Sequence, residues 1–215
     1  MTSQDSPLFA PEGLAQAKDR LVRARVAVDL LDTAHNEAQS ARHAWEDFLQ
    51  AAATMYSKLE QGAKASRPAM NWYGGVKHLR KVDPLLRYLH MARDSHVHTI
   101  KDITRVATGE ASIRFRDDID PLELDGHTIM IGTDVLGFPR VATSPGAPIV
   151  VEHAPGPELA LVAAYNRGTT YEVPATHLGS DIGSLKPWAV ARLALAYLEK
   201  LYAEAEALNA KHSKL

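Results

Sequence analysis

Arg93-Asp94-Ser95-His96-Val97-His98 holds the densest set of reactive side chains in this sequence. A guanidinium keeps its charge at any physiological pH, and its planar fork of N–H donors suits a phosphate or a carboxylate. An imidazole exchanges a proton near neutral pH, so a nearby histidine can supply general acid–base chemistry without a metal. Arg93 with His96 or His98 is therefore the set on this stretch that could do chemistry.

Helix geometry decides which of these groups can meet. Asp83-Pro84 reads as an N-cap followed by Pro at the first helical position. The helix is expected to run to about Ala107, with Gly109 as its stop. At about 100° per residue, Leu85, Leu86, Leu89, Ile100, Ile103 and Ala107 share one side, and Arg93 and His96 fall in the middle of it. His98 points about 140° away from Arg93 on a straight helix. An inward-facing Arg must be paired or wet, so this apolar face carries a polar layer. His35 and Arg42, inward-facing on an earlier helix, are candidates to join it, with Asp32, Glu37 or Glu46 as counter-charges. Such a layer has two explanations. It fixes helix register or an oligomer seam, or it is a site.

The string from Arg93 to His98 resembles the Arg-x4-6-His motif of HEPN-type helical proteins (higher eukaryotes and prokaryotes nucleotide-binding). The resemblance covers this one short motif in a helical first half. Many members of that family are metal-independent endoribonucleases that work as dimers, and others lack nuclease activity. The resemblance implies Arg93 as phosphate clamp, His98 as acid–base group and Asp94 as the polar residue that orients them. For His98 to work with Arg93, the helix must be distorted there or the site shared between subunits; His96 lies closer. The alternative is a non-catalytic interaction or scaffolding protein in which Arg93 and His96 form a structural polar layer.

Residues 64–81 contain Lys64, Arg67, Lys77, Arg80 and Lys81 with no acid, around Trp72-Tyr73-Gly74-Gly75. Basic side chains beside aromatic ones suit single-stranded nucleic acid, by phosphate contact and base stacking. Arg67, Trp72, Tyr73, Lys77, Arg80 and Lys81 are therefore the candidate RNA contacts, against the plainer reading of a connector with buried aromatic anchors. His90, Asp94, His98 and Asp102 form an i,i+4 ladder that reads as a solvated face before a metal site. Asp117, Asp118 and Asp120 read as an acidic turn. No metal is expected, and no cofactor: a Gly-rich phosphate loop, a Gly-x-Ser-x-Gly elbow and a Rossmann fingerprint are all missing from the sequence.

The elements that must hold these residues follow from periodicity. Between Leu14 and Leu59, without Pro or Gly, apolar residues recur at alternating spacings of three and four, interrupted by His35 and Arg42. One long or kinked helix is preferred to a reversal near Thr33–Ser40, with Pro11 in its first turn and Gly62 at its end. The stripe is heptad-like and predicts a homo-oligomer, a dimer first. A connector with a short helix over Val76–Lys81 follows. Beyond Gly109, hairpins are expected at Asp125-Gly126 and at Asn166-Arg167-Gly168, and a strand at Pro148–Glu152. Pro174–Gly179 is expected as an exposed loop. Pro187 opens a last helix with Val190, Ala194, Tyr197, Leu198, Leu201, Ala205 and Leu208 as its stripe, frayed from Asn209. The fold class is α+β: a helical segment 1–109, a strand-rich module 110–186, and a C-terminal helix over 187–215 packing back on the rest.

Composition bounds the function. In 215 residues the hydrophobic fraction is 46%, the charged fraction 23% and the net charge -2, an ordinary globular balance. The first 109 residues carry 15 Lys+Arg against 12 Asp+Glu, and the remainder 9 against 14. That surplus is too small for a general nucleic-acid binder. Zero Cys excludes disulfides, thiolate metal sites and a Cys nucleophile, and it fits the reducing cytoplasm expected as the location. No apolar run nears the roughly 20 residues that span a bilayer, and the N-terminus has no secretory pattern.

Overall fold

A computed structural model describes residues 7–34, 37–98, 103–107, 111–115, 129–133, 139–145, 149–153 and 158–212. Within it, the expected long first helix is two helices, α1 (Pro11–Thr33) and α2 (Ala38–Ala63), packed antiparallel as a hairpin. A three-four stripe looks the same whether a helix meets another chain or folds back on itself. Here it is the seam of the hairpin, so Leu14, Leu21, Val28, Trp45, Leu49 and Leu59 are buried against one another's helices. The reversal falls where Thr33, His35 and Asn36 are poor helix formers, and the Thr33 hydroxyl donates back to the carbonyls of Asp29 (3.2 Å) and Leu30 (3.1 Å). At the open end Gly13 lies on Gly62 so closely that a Cβ on Gly13 would come within 2.5 Å of the Gly62 Cα. The Ala10 N–H donates to the Gly62 carbonyl there (2.9 Å).

The connector is also a helix, α3 (Arg67–Val82). Ser66 caps it by accepting from the Ala69 N–H (3.2 Å), and Pro68 sits in its first turn, where no donor is lost. Helix α4 (Pro84–His98) begins as expected, with Asp83 accepting from the Leu86 N–H (2.9 Å). It does not reach Ala107. Thr104–Ala107 is instead strand β1, in a stretch whose Thr99, Ile100, Ile103, Thr104 and Val106 are all β-branched.

The remaining strands are β2 (Ala111–Phe115), β3 (Ile129–Thr133), β4 (Pro139–Thr143), β5 (Ile149–His153) and β6 (Glu158–Leu161), then β7 (Ala164–Asn166), β8 (Thr169–Tyr171), β9 (Thr176–His177) and β10 (Ser180–Asp181). Three antiparallel ladders nest one inside the next: β1 with β6, β2 with β5, β3 with β4. The strand expected at Pro148–Glu152 is β5. The hairpin expected at Asn166-Arg167-Gly168 is β7–β8, with Arg167 and Gly168 both at positive φ (48° and 83°), the backbone of a two-residue primed turn. Pro174–Gly179 is exposed over most of its length, as expected, and it also carries β9, which with β10 closes a tight turn that docks on α4. The Asp125-Gly126 hairpin and the Asp117, Asp118 and Asp120 turn lie outside the described residues, as do His35, Ile100, Asp102 and Gly109.

Helix α5 (Pro187–His212) closes the fold against α1, α2 and β6. Val190, Ala194, Leu198, Leu201 and Ala205 are buried on the expected stripe. The helix is intact past Asn209, whose Oδ1 accepts from the Phe9 N–H (3.1 Å) and ties the two ends of the described chain together. The architecture is α+β and mostly helical. Among the described residues, no helix is long and apolar enough to cross a membrane.

Candidate functional site

Helix α4 buries Leu85, Leu86, Leu89 and Ala92 and leaves His90, Arg93 and Asp94 half-buried on the neighbouring strip. That strip meets α2 and α3. The result is a cleft of about 330 Å³ lined by Thr54, Ser57 and Glu60 from α2, Tyr73 and Arg80 from α3, and His90, Arg93 and Asp94 from α4. Sequence spacing alone could not assemble it. Arg80 and His90 are brought together by the turn at Val82–Asp83, and Thr54 and Ser57 by the return of α2.

The polar groups are arranged in a chain. Arg80 lies over the Tyr56 ring, 4.5 Å from its centroid, and its Nη2 donates to His90 Nδ1 (2.6 Å). Because Arg80 can only donate, Nδ1 must be the bare nitrogen of a neutral imidazole. The proton then sits on Nε2, 3.8 Å from Asp94 Oδ2. Burial holds the His90 pKa below its ordinary value, and the Arg80 and Arg93 charges push it the same way against the opposing pull of Asp94. Arg93 donates through Nη1 to Asp94 Oδ1 (3.1 Å) and through Nε to Gln50 Oε1 (3.3 Å). Lys77 pairs with Glu60 and lies 5.7 Å from the Tyr73 ring centroid. The Tyr73 hydroxyl donates to the Tyr56 carbonyl (2.8 Å), and burial keeps this phenol protonated far above its usual range.

The charges do not balance. Lys77 is matched by Glu60 and Arg93 by Asp94, whereas Arg80 donates to the neutral His90. With His90 neutral the lining itself sets two guanidiniums against two carboxylates, and Lys77 at its edge, paired with Glu60, brings the group to one net positive charge; hydroxyls from Thr54 and Ser57 stand on the wall. Guanidiniums at such a cleft can donate to an anion with several acceptor oxygens. Among the described residues, no cluster of His, Asp and Glu is placed to hold a metal ion.

Of the residues expected from sequence, Arg93 and Asp94 are in the cleft. His96 and His98 belong to the last turn of α4, and their side chains lie outside the described residues. Tyr73, Lys77 and Arg80 stand at or beside the cleft, while Arg67 and Lys81 are exposed elsewhere on α3. Trp72 is half-buried, edge-on to Phe9 at 5.5 Å between centroids, and Tyr73 is buried. Both aromatics thus anchor α3. Sequence reasoning placed His90 only in a solvated ladder and missed its union with Arg80, and it missed Thr54, Ser57 and Glu60. The one available signal was His90 three residues before Arg93, a single helical turn.

A second carboxylate–histidine pair sits at the other end of α4. Asp83 is buried, and its carboxylate accepts from the Leu178 N–H (2.7 Å), the Leu86 N–H (2.9 Å) and His177 Nδ1 (3.0 Å). Burial alone would raise its pKa, but these donors outweigh it and hold the carboxyl below its ordinary value. The His177 ring is edge-on to Tyr197 at 5.6 Å. Every acceptor is used, so this cluster latches β9–β10 to α4.

Comparison with protein-family models, with curated proteins and with solved structures finds no match to this chain.

Proposed function

We propose that the cleft between α2, α3 and α4 binds the phosphate of RNA or of a nucleotide. The observation that carries this reading is the convergence of Arg80 and Arg93, from two helices, on a water-accessible cleft, with Arg93 paired to Asp94 and a neutral histidine against Arg80. Two guanidiniums from different helices can straddle a phosphate, and the Ser57 hydroxyl suits a remaining oxygen, while the Thr54 hydroxyl donates to the Gln50 carbonyl (2.8 Å). The cleft volume falls in the range of small-molecule sites, about 300–1,000 Å³.

The same groups support metal-independent phosphodiester cleavage as the activity. When Arg80 turns from His90 to a phosphate oxygen, it uncovers Nδ1, which can then accept the proton of a 2′-hydroxyl as the 2′-oxygen bonds to phosphorus; the bond to the 5′-oxygen breaks, and that oxygen takes a proton from solvent. Arg93 stays to stabilise charge on the phosphorus oxygens. Under the HEPN-type reading Arg93 keeps this role, Asp94 orients it, and His96 or His98 carries the proton.

A non-catalytic interaction protein remains the second reading. The observation in its favour is that Arg93 already has partners in Asp94 and Gln50. Cleavage and binding of labelled single-stranded RNA, with chelator present, by the wild type and by Arg93→Ala separate the two. The proposal expects binding that falls in a mutant of unchanged thermal midpoint. An unfolded mutant, or RNA binding equal to the wild type's, would favour the second reading.

A further inference from the structure

Helix α1 buries one face in the hairpin, yet its opposite face is not polar. Val22, Val26 and Leu30 recur one turn apart and are 49%, 53% and 50% exposed. They form one wall of a groove of about 370 Å³ whose floor is Ala27 and Ala51 and whose other wall includes Asp47 and Thr54 of α2. None of this belongs to the heptad-like stripe, which the hairpin consumes.

The ends of the groove carry opposite charge. Because α1 and α2 are antiparallel, Arg20 and Arg23 share one end with Thr54, and Leu30 with the exposed Asp29 shares the other end with Asp47. We infer that this groove is the contact surface for a second copy of the chain, docked antiparallel about a two-fold axis through Val26. In that register Val22 meets Leu30 of the other copy, Val26 meets its own equivalent, and Arg23 meets Asp29. A parallel copy would set like charge on like. Within one chain Arg23 pairs with Asp19 (3.3 Å), and six residues separate it from Asp29, off the same helical turn. The apolar wall from Val22 to Leu30 is only about 12 Å long, so the dimer is reversible and dissociates on dilution.

The chain has no Cys, which makes the axis directly testable. Val26→Cys puts a thiol on the axis, and Ala207→Cys puts one on the exposed side of α5 as the control. Mild oxidation is expected to link Val26→Cys into a dimer much faster than the control. Sedimentation velocity on the wild-type chain is expected to show concentration-dependent dimerisation. Arg23→Asp or Asp29→Arg alone should weaken it about tenfold, near 1.4 kcal/mol, and the two together should restore it. A wild type that stays monomeric at ~1 mM, far above the Kd of a specific interface, overturns the proposal and leaves the groove to a different partner. So does Val26→Cys linking no faster than the control, or a double variant no better than the single ones.

Discussion

Two carboxylate–histidine pairs stand at opposite ends of α4 and have opposite characters. Asp83 with His177 is buried, and each acceptor of the carboxylate meets a donor. Asp94 with His90 is half-buried, opens on a cleft and is outnumbered by two guanidiniums. The residue types are the same. What separates a latch from a site is whether the local charges and hydrogen bonds are already satisfied.

Breaking the latch should have the largest effect on stability. Asp83→Ala removes the N-cap of α4 and orphans the Leu178 N–H and His177, at a cost of about 3 kcal/mol. Denaturant unfolding should show that loss, with RNA affinity of the folded fraction unchanged. In the cleft the pattern should invert. Arg80→Ala or Arg93→Ala should lower RNA affinity at least about tenfold (1.4 kcal/mol), while stability changes by under about 1 kcal/mol because these pairs are partly solvated.

pH sharpens the contrast because His90 and Asp83 lose their contributions in different windows. His90 has a folded pKa below its ordinary 6.5. Its contribution to stability is therefore intact above that pH and declines as pH falls through and below it. His90→Gln should flatten this part of the stability profile. Asp83, also lowered, contributes stability above its ordinary 3.8 and loses it only as pH falls further, through the folded pKa. Asp83→Asn should remove that acid limb and spare the neutral one. The smallest effect is on salt dependence. Removing one phosphate contact with Arg93→Ala should reduce the slope of log affinity against log salt by about 1, measured by anisotropy across a salt series.

The parts of this fold that were legible in the sequence are those specified locally. Asp83-Pro84, Asn166-Arg167-Gly168 and Pro187 set caps and turns within a few residues, and each stands where expected. The reversal between α1 and α2 was not legible, because an intramolecular seam and an oligomer seam share one periodicity. Apolar spacing misplaces the end of α4, because the β-branched run from Thr99 to Val106 overrides it. Trp72 and Tyr73 beside lysines suggest stacking platforms, yet they serve as anchors for α3. Arg93 was identifiable as a candidate cation on α4, although it stands half-buried beside the apolar face and not in its middle. Its setting was not, since Arg80 and His90 meet only after the chain turns between α3 and α4.

The most direct test of the cleft is the titration of the His90 imidazole by NMR, assigned through His90→Gln, with and without a short single-stranded RNA. A phosphate between Arg80 and Arg93 offsets their charge and draws Arg80 off Nδ1, so RNA should move the His90 pKa upward. RNA that binds while the His90 titration stays where it was would contradict this reading of the cleft.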